Sequence, residues 1–183
     1  MTIFYRPVNF EHQKIQNDFQ FYFENNILNA SKIDHKGHDF RSVDISLFDK
    51  YDEFQNFLIE EKLILKFCML FWCKPNARGN IHKDLDDFGL NIPISGIGGW
   101  QTWVDVDPMY PPVLSSYGNT SEKKFELFPL TTPFTVIEKY MVTQPTIVNT
   151  GVRHYIDNLD NDKFRIMLSM RLHRYDSTTN RLI

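Results

Sequence analysis

The stretch Asn80-Ile81-His82-Lys83-Asp84 sets an imidazole and a carboxylate two residues apart. On an extended strand such positions share a face, so His82 and Asp84 project side by side. A neutral imidazole and a carboxylate so placed can take adjacent corners of one metal ion. The pair alone is weak evidence, because a three-residue pattern built from common residue types arises readily by chance.

A third ligand must come from elsewhere in the chain, and His154 is the best candidate, just ahead of a β-prone run at the C-terminal end. Two imidazoles and one carboxylate on one face leave three octahedral positions open, the facial arrangement associated with iron(II) oxygenases. Arg165 then opens the run Phe164-Arg165-Ile166-Met167-Leu168-Ser169. An arginine among such neighbours is costly to bury unless it meets an anion, and its planar fork suits a carboxylate held at two points. Ser169 shares the strand face of Arg165 and can add a hydrogen bond. Arg171 lies on that face too and is an alternative carboxylate partner.

Taken together these residues resemble the iron(II)- and 2-oxoglutarate-dependent oxygenases. The stretch from His154-Tyr155-Ile156-Asp157-Asn158 through Phe164-Arg165 to Ser169 is most similar to the phytanoyl-CoA hydroxylase-like branch. The likeness spans roughly residues 63–172. It implies that His82, Asp84 and His154 hold Fe(II), and that Arg165, supported by Ser169, receives the far carboxylate of 2-oxoglutarate. It implies, too, a reaction in which 2-oxoglutarate and molecular oxygen give succinate, carbon dioxide and usually a hydroxylated product. Asp84 stands where halogenating relatives keep a small residue, which argues against halogenation. Asn91, on the next strand, is a candidate co-substrate contact and equally a structural amide.

The elements that must position these residues fall into two regions. From Glu11 to Leu28, Ile15, Phe19, Phe23 and Ile27 recur every four residues and predict an amphipathic helix. Asn29 to Arg41 reads as loop, and a second helix is expected from Ser46, as N-cap, to Lys62, with Phe54, Phe57 and Leu58 inward. Beyond it, Leu63 to Cys73 is a continuous apolar run, the mark of a strand buried on both faces. Short β-prone runs follow at Phe88–Ile94, Trp100–Val106, Phe134–Met141, Thr146–Asn149 and Phe164–Leu172, separated by Gly, Pro, Asn and Asp clusters. The expected fold is mainly β with N-terminal helices: a double-stranded β-helix, or cupin-like jelly roll, in a single domain. Residues 1–62 would form a helical annex and residues 63–172 the core. Pro93 inside a strand requires an edge or a bulge. The long segment from Asp107 to Lys124 would supply a rim or lid, together with the N-terminal helices.

Composition narrows the remaining choices. The 183 residues carry a hydrophobic fraction of 42% with 16 Phe, enough for a sizeable core. The net charge is −3 with scattered Lys and Arg, which argues against nucleic acid as a partner. No apolar run is long enough for a membrane span, and no secretory signal is visible. Cys68 and Cys73 have odd spacing, point to opposite strand faces and read as two buried thiols, which suggests a cytoplasmic, reducing setting.

Each candidate also has an ordinary reading. His82 can be a surface residue beside Asp84, Asp86 and Asp87, His154 a core histidine bonded to backbone, and Arg165 an ion-pair partner of Asp157, Asp160 or Asp162. His35, His38 and Asp39 read as a solvated loop before a second metal site. Trp100 and Trp103 read first as core aromatics, and Arg153 as solvent-facing. The expected function is therefore an oxygenase acting on a small molecule or an amino-acid side chain. The alternatives are a non-catalytic jelly-roll binding or assembly protein, and a cupin-like metalloenzyme that does not use 2-oxoglutarate.

Overall fold

In a computed structural model of the chain, the described residues are 3–28, 38–85, 88–96, 99–116, 124–129, 131–159, 161–176 and 181–182. The N-terminal part contains β1 (Tyr5–Pro7), α1 (Gln13–Phe23), β2 (His38–Val43) and α2 (Asp52–Glu60). Ile15, Phe19 and Phe23 of α1 are buried. The helix is shorter than its apolar stripe predicts, because Glu24–Leu28 continues it as a π turn. There the side-chain amides of Asn25 and Asn26 donate to the carbonyls of Phe21 and Tyr22, and such side chains compete with the backbone ladder. α2 starts later than expected, after Tyr51, which makes no side-chain capping bond; Ser46 lies instead in a short 3₁₀ turn, Ile45–Phe48, capped by Asp44, whose carboxylate accepts from the Ser46 amide.

The strands that follow are β3 (Leu63–Cys73), β4 (Ile81–Lys83), β5 (Phe88–Ser95), β6 (Trp100–Val106), β7 (Val113–Ser116), β8 (Lys124–Phe128), β9 (Phe134–Met141), β10 (Thr146–Asn149), β11 (His154–Asp157), β12 (Arg165–Asp176) and β13 (Arg181–Leu182). They form two antiparallel sheets. One has the order β1-β10-β5-β12-β3-β2, with β13 paired to β12, and the other has the order β7-β8-β4-β11-β6-β9. The core strands alternate between the sheets, except that β6 and β9 pair within the second: β3, β5, β10 and β12 lie in the first, and β4, β6, β9 and β11 in the second. That alternation is jelly-roll connectivity.

The N-terminal 62 residues are not helical alone. β1 extends the first sheet beyond β10 and β2 extends it beyond β3, although residues 38–41 read as loop in the sequence. β7 lies within the segment 107–124 expected to be loop; it pairs with β8, which begins at the end of that segment, and the two widen the second sheet beside β4.

Side-chain alternation on the first sheet separates core from cavity. Ile166, Leu168 and Met170 of β12 join Cys68, Leu70 and Trp72 of β3 and Leu90, Ile92 and Ile94 of β5 in one buried cluster with the apolar faces of both helices. The intervening residues, Arg165, Met167, Ser169 and Arg171, face the other way, toward the second sheet. Pro93 is accommodated in β5 because the register with β12 shifts there, pairing Met167 with Pro93 and Ile166 with Ser95, and because β10 pairs only as far as Asn91. The Pro93 carbonyl accepts from the Gln16 amide of α1 at 2.7 Å. Cys68 and Cys73 are both buried and unpaired with each other. No helix among the described residues is long and apolar enough to cross a membrane.

Candidate metal centre

Between the sheets lies a cavity of about 230 Å³ whose wall includes His82, Asp84, Asn91, His154, Arg165, Ser169 and Arg171. Strand pairing brings the first of these together. β11 is flanked by β4 and β6, and His154 stands opposite His82 across the β4–β11 pair. Their ring centroids are 4.3 Å apart. Asp84 follows β4 directly, and its backbone N–H donates to the Thr150 carbonyl at 3.0 Å, tying it to the turn ahead of β11. His82 Nε2 and Asp84 Oδ1 are 3.9 Å apart. One ligand atom from each of His82, Asp84 and His154 lies within 4.8 Å of the others. Small side-chain rotations bring such a set to the roughly 2 Å metal–ligand distance of a shared ion.

The hydrogen bonds behind the imidazoles fit that role. His82 Nδ1–H donates to the Asn80 carbonyl at 2.9 Å, and His154 Nδ1–H donates to the Val152 carbonyl at 2.8 Å. A carbonyl can only accept, so each bond places the proton on Nδ1 and leaves Nε2 with its lone pair toward the cavity. Burial pushes the His154 pKa down to about 3, with further lowering from the neighbouring His82. His154 is therefore neutral, the form that ligates.

The two arginines of β12 are placed differently. Arg171 is buried; its Nη2 donates to Asp84 Oδ2 in a short charge-assisted bond, and its Nη1 donates to Ser169 Oγ at 2.9 Å. Ser169, expected beside Arg165, is thus engaged by Arg171. Arg165 is 2% exposed, and its Nη1 and Nη2 have no hydrogen-bond partner among the described residues. Burial pulls its pKa down to about 10. A buried guanidinium left so is costly, and an anion entering the cavity would answer it. Gly99 makes room for it: a Cβ there would come 2.2 Å from Arg165 Cδ and 2.9 Å from the Asp157 carbonyl oxygen.

The turn that launches β12 is held by amides. Asn158 Nδ2 reaches the carbonyls of Lys74 at 2.8 Å and Lys163 at 3.0 Å, and Asn161 Nδ2 reaches the Gly96 carbonyl at 3.1 Å.

Several cavity residues had no clear signal in the sequence. Gln101, 1% exposed, faces the cavity from β6, and neither its Oε1 nor Asn91 Oδ1 on β5 has a hydrogen-bond partner among the described residues. A buried amide between Trp100 and Thr102 in an apolar run is the only clue to Gln101. Phe40 of β2 and Phe125 and Leu127 of β8 also line the cavity, and among the described residues none of α1 or α2 does. Trp103 packs on Phe4 and Tyr5 and donates Nε1–H to the Asn149 carbonyl, outside the cavity wall. Arg153 contacts Glu126 Oε2 at 3.4 Å and lies over the Phe128 ring. The side chains of His35 and His38 lie outside the described residues.

No protein-family model matches the chain, and no curated protein matches it. Among solved structures the chain is similar to oxalate decarboxylase from Bacillus subtilis at pH 4.6, with 16% identity and a TM-score of 0.38. It is also similar to a structure of that enzyme described in connection with the electron paramagnetic resonance parameters of its Mn(II) centres, with 14% identity and a TM-score of 0.38. Each match covers 79% of this chain and 28% of the decarboxylase chain, so the chain spans under a third of that protein's length.

Proposed function

We propose that the protein is an iron(II)-dependent oxygenase that takes 2-oxoglutarate as co-substrate and hydroxylates a small molecule or an amino-acid side chain. His82, Asp84 and His154 would hold the metal, which when bound supplies open positions for oxygen and the co-substrate. The observation that carries this reading is Arg165. Its buried terminal nitrogens have no hydrogen-bond partner among the described residues, and it lines the same cavity as a two-imidazole, one-carboxylate set. Its fork suits the far carboxylate of a dicarboxylate, and Gln101 and Asn91 can contribute polar contacts.

The test is to supply the protein with Fe(II), 2-oxoglutarate and oxygen and to measure succinate. Slow formation that disappears in Arg165→Ala supports the proposal. Absence of both metal binding and 2-oxoglutarate binding by calorimetry defeats it.

A second reading, a metalloenzyme of this fold that does not use 2-oxoglutarate, is favoured by the presence of a second guanidinium. With Arg171 and Arg165 both in the cavity wall, the carboxylate received at Arg165 can be the substrate's own. Metal chemistry unaffected by 2-oxoglutarate, with Arg165→Ala altering affinity for a substrate acid instead, separates the two. A binding protein without turnover would bind metal or anion and form no product. The two buried free thiols fit a reducing, cytoplasmic setting, which belongs to the same proposal, as do molecular oxygen as reactant and the absence of a nucleic-acid partner.

A further inference from the structure

Asp84 is held from two sides. Its Oδ1 lies 3.9 Å from His82 Nε2, on the side of the imidazole pair, while its Oδ2 receives Nη2 of Arg171. Both partners of that second contact are buried, with side chains 2% and 9% exposed. The guanidinium is itself fixed at its other terminal nitrogen by Ser169 Oγ. Gly89, across the β5–β12 pair from Arg171, leaves it space: a Cβ there would come 2.9 Å from Arg171 Nη1.

We infer that Arg171 is a positioning residue that restricts Asp84 to one-oxygen coordination of the metal. A carboxylate alone can chelate through both oxygens. Here the second oxygen is committed to a charge-assisted hydrogen bond, which is stronger than a neutral one. A divalent ion moving toward Oδ2 would approach the guanidinium, and that repulsion is weakly screened in a buried site. One-oxygen ligation matters for the count of open positions. Two imidazoles and one carboxylate oxygen fill three of six octahedral places, whereas a chelating carboxylate fills a fourth. A co-substrate bound at two points needs two places and oxygen needs one, so the third open place depends on Arg171. The inference rests on the metal reading above and adds the reason the site stays open.

The experiment uses Mn(II), an ion that accepts this donor set, with no co-substrate present. Mn(II) is titrated into the protein, and bound water is counted from the paramagnetic enhancement of water-proton relaxation, which scales with the number of inner-sphere waters. The wild-type protein is expected to show three waters. Arg171→Ala is expected to show two, a fall of about one third in the enhancement, and to bind Mn(II) more tightly because a chelate forms and a cation is removed. Arg171→Lys, which keeps the charge and one donor, is expected to restore three.

A merely structural arginine would leave the water count unchanged and weaken the metal, and that result overturns the inference. Two waters in the wild type overturn it without reference to any variant, so a poorly folding Arg171→Ala leaves the test intact. If Mn(II) does not bind the wild type at all, the metal reading fails instead.

Discussion

His82 and His154 stand opposite each other on adjacent antiparallel strands, with ring centroids 4.3 Å apart and each Nδ1–H spent on the carbonyl two residues before it. Neither ring can turn its Nε2 away without breaking a backbone hydrogen bond, so the pair is preorganised. Because loss of an outer-shell support alone costs 10–100-fold in metal affinity, loss of a ring itself is expected to cost about 100-fold or more. His82→Ala and His154→Ala should each show this in an Mn(II) titration followed by electron paramagnetic resonance. Equal Mn(II) affinity in wild type and both variants would remove the metal centre.

Arg165 predicts opposite effects with and without ligand. In the ligand-free protein its terminal nitrogens are buried without hydrogen-bond partners among the described residues, so an apolar side chain of similar length should stabilise the fold. Arg165→Met is expected to raise unfolding stability by about 1–3 kcal/mol. With 2-oxoglutarate present the order reverses, since the variant loses a buried two-point charge contact worth about 2–5 kcal/mol. Thermal unfolding of both proteins with and without 2-oxoglutarate checks this. A variant that keeps the ligand-induced rise in Tm shows that the anion sits elsewhere.

Gly99 tests the same site at a distance from its chemistry. A Cβ 2.2 Å from Arg165 Cδ and 2.9 Å from a backbone oxygen cannot be accommodated in place, so Gly99→Ala must displace the arginine stem. The expected outcome is weaker 2-oxoglutarate binding, by roughly tenfold or more since ~1.4 kcal/mol suffices, with Mn(II) affinity unchanged. Calorimetry with each ligand in turn reads both quantities. Parallel losses in the two would mean general unfolding rather than displacement of Arg165.

The central strands were legible because their signals are local. The continuous apolar run of β3, and the punctuated runs of β6, β9 and β10, need no knowledge of partners. β2 was hidden in a polar stretch because it gains its place by pairing with β3 and not by its own apolar content. The hairpin β7–β8 was hidden for a related reason: Val113 and Leu114 are exposed, and only alternate residues, Phe125 and Leu127, reach the cavity. At the site, residue type marked His82, Asp84, His154 and both arginines. Which arginine takes Asp84 depends on their positions along β12 relative to β4, and no spacing rule within one strand contains that distance. Gly89 interrupts a β-prone run, and that interruption was the available sign of a close approach, whereas Gly99 lies between two runs, just ahead of β6.

Acid should weaken the metal-free fold through His154. Its folded pKa is held down to about 3, first by burial and then by the neighbouring His82, while in the unfolded chain an imidazole titrates near ~6.5. Between those values the unfolded chain binds a proton that the folded one refuses, so stability rises with pH across this window. The contribution is complete above about pH 6.5, declines as pH falls, and ceases to change below the folded value. Its upper limit is ~1.4 kcal/mol per pH unit. Urea unfolding of wild type and His154→Leu at pH 7.5, 6.0 and 5.0, without metal, isolates it. The wild type is expected to lose more stability than the variant over that range, because leucine has nothing to protonate. Parallel pH profiles would show that the ring takes up a proton as readily inside the protein as outside, and would contradict its burial between the two sheets.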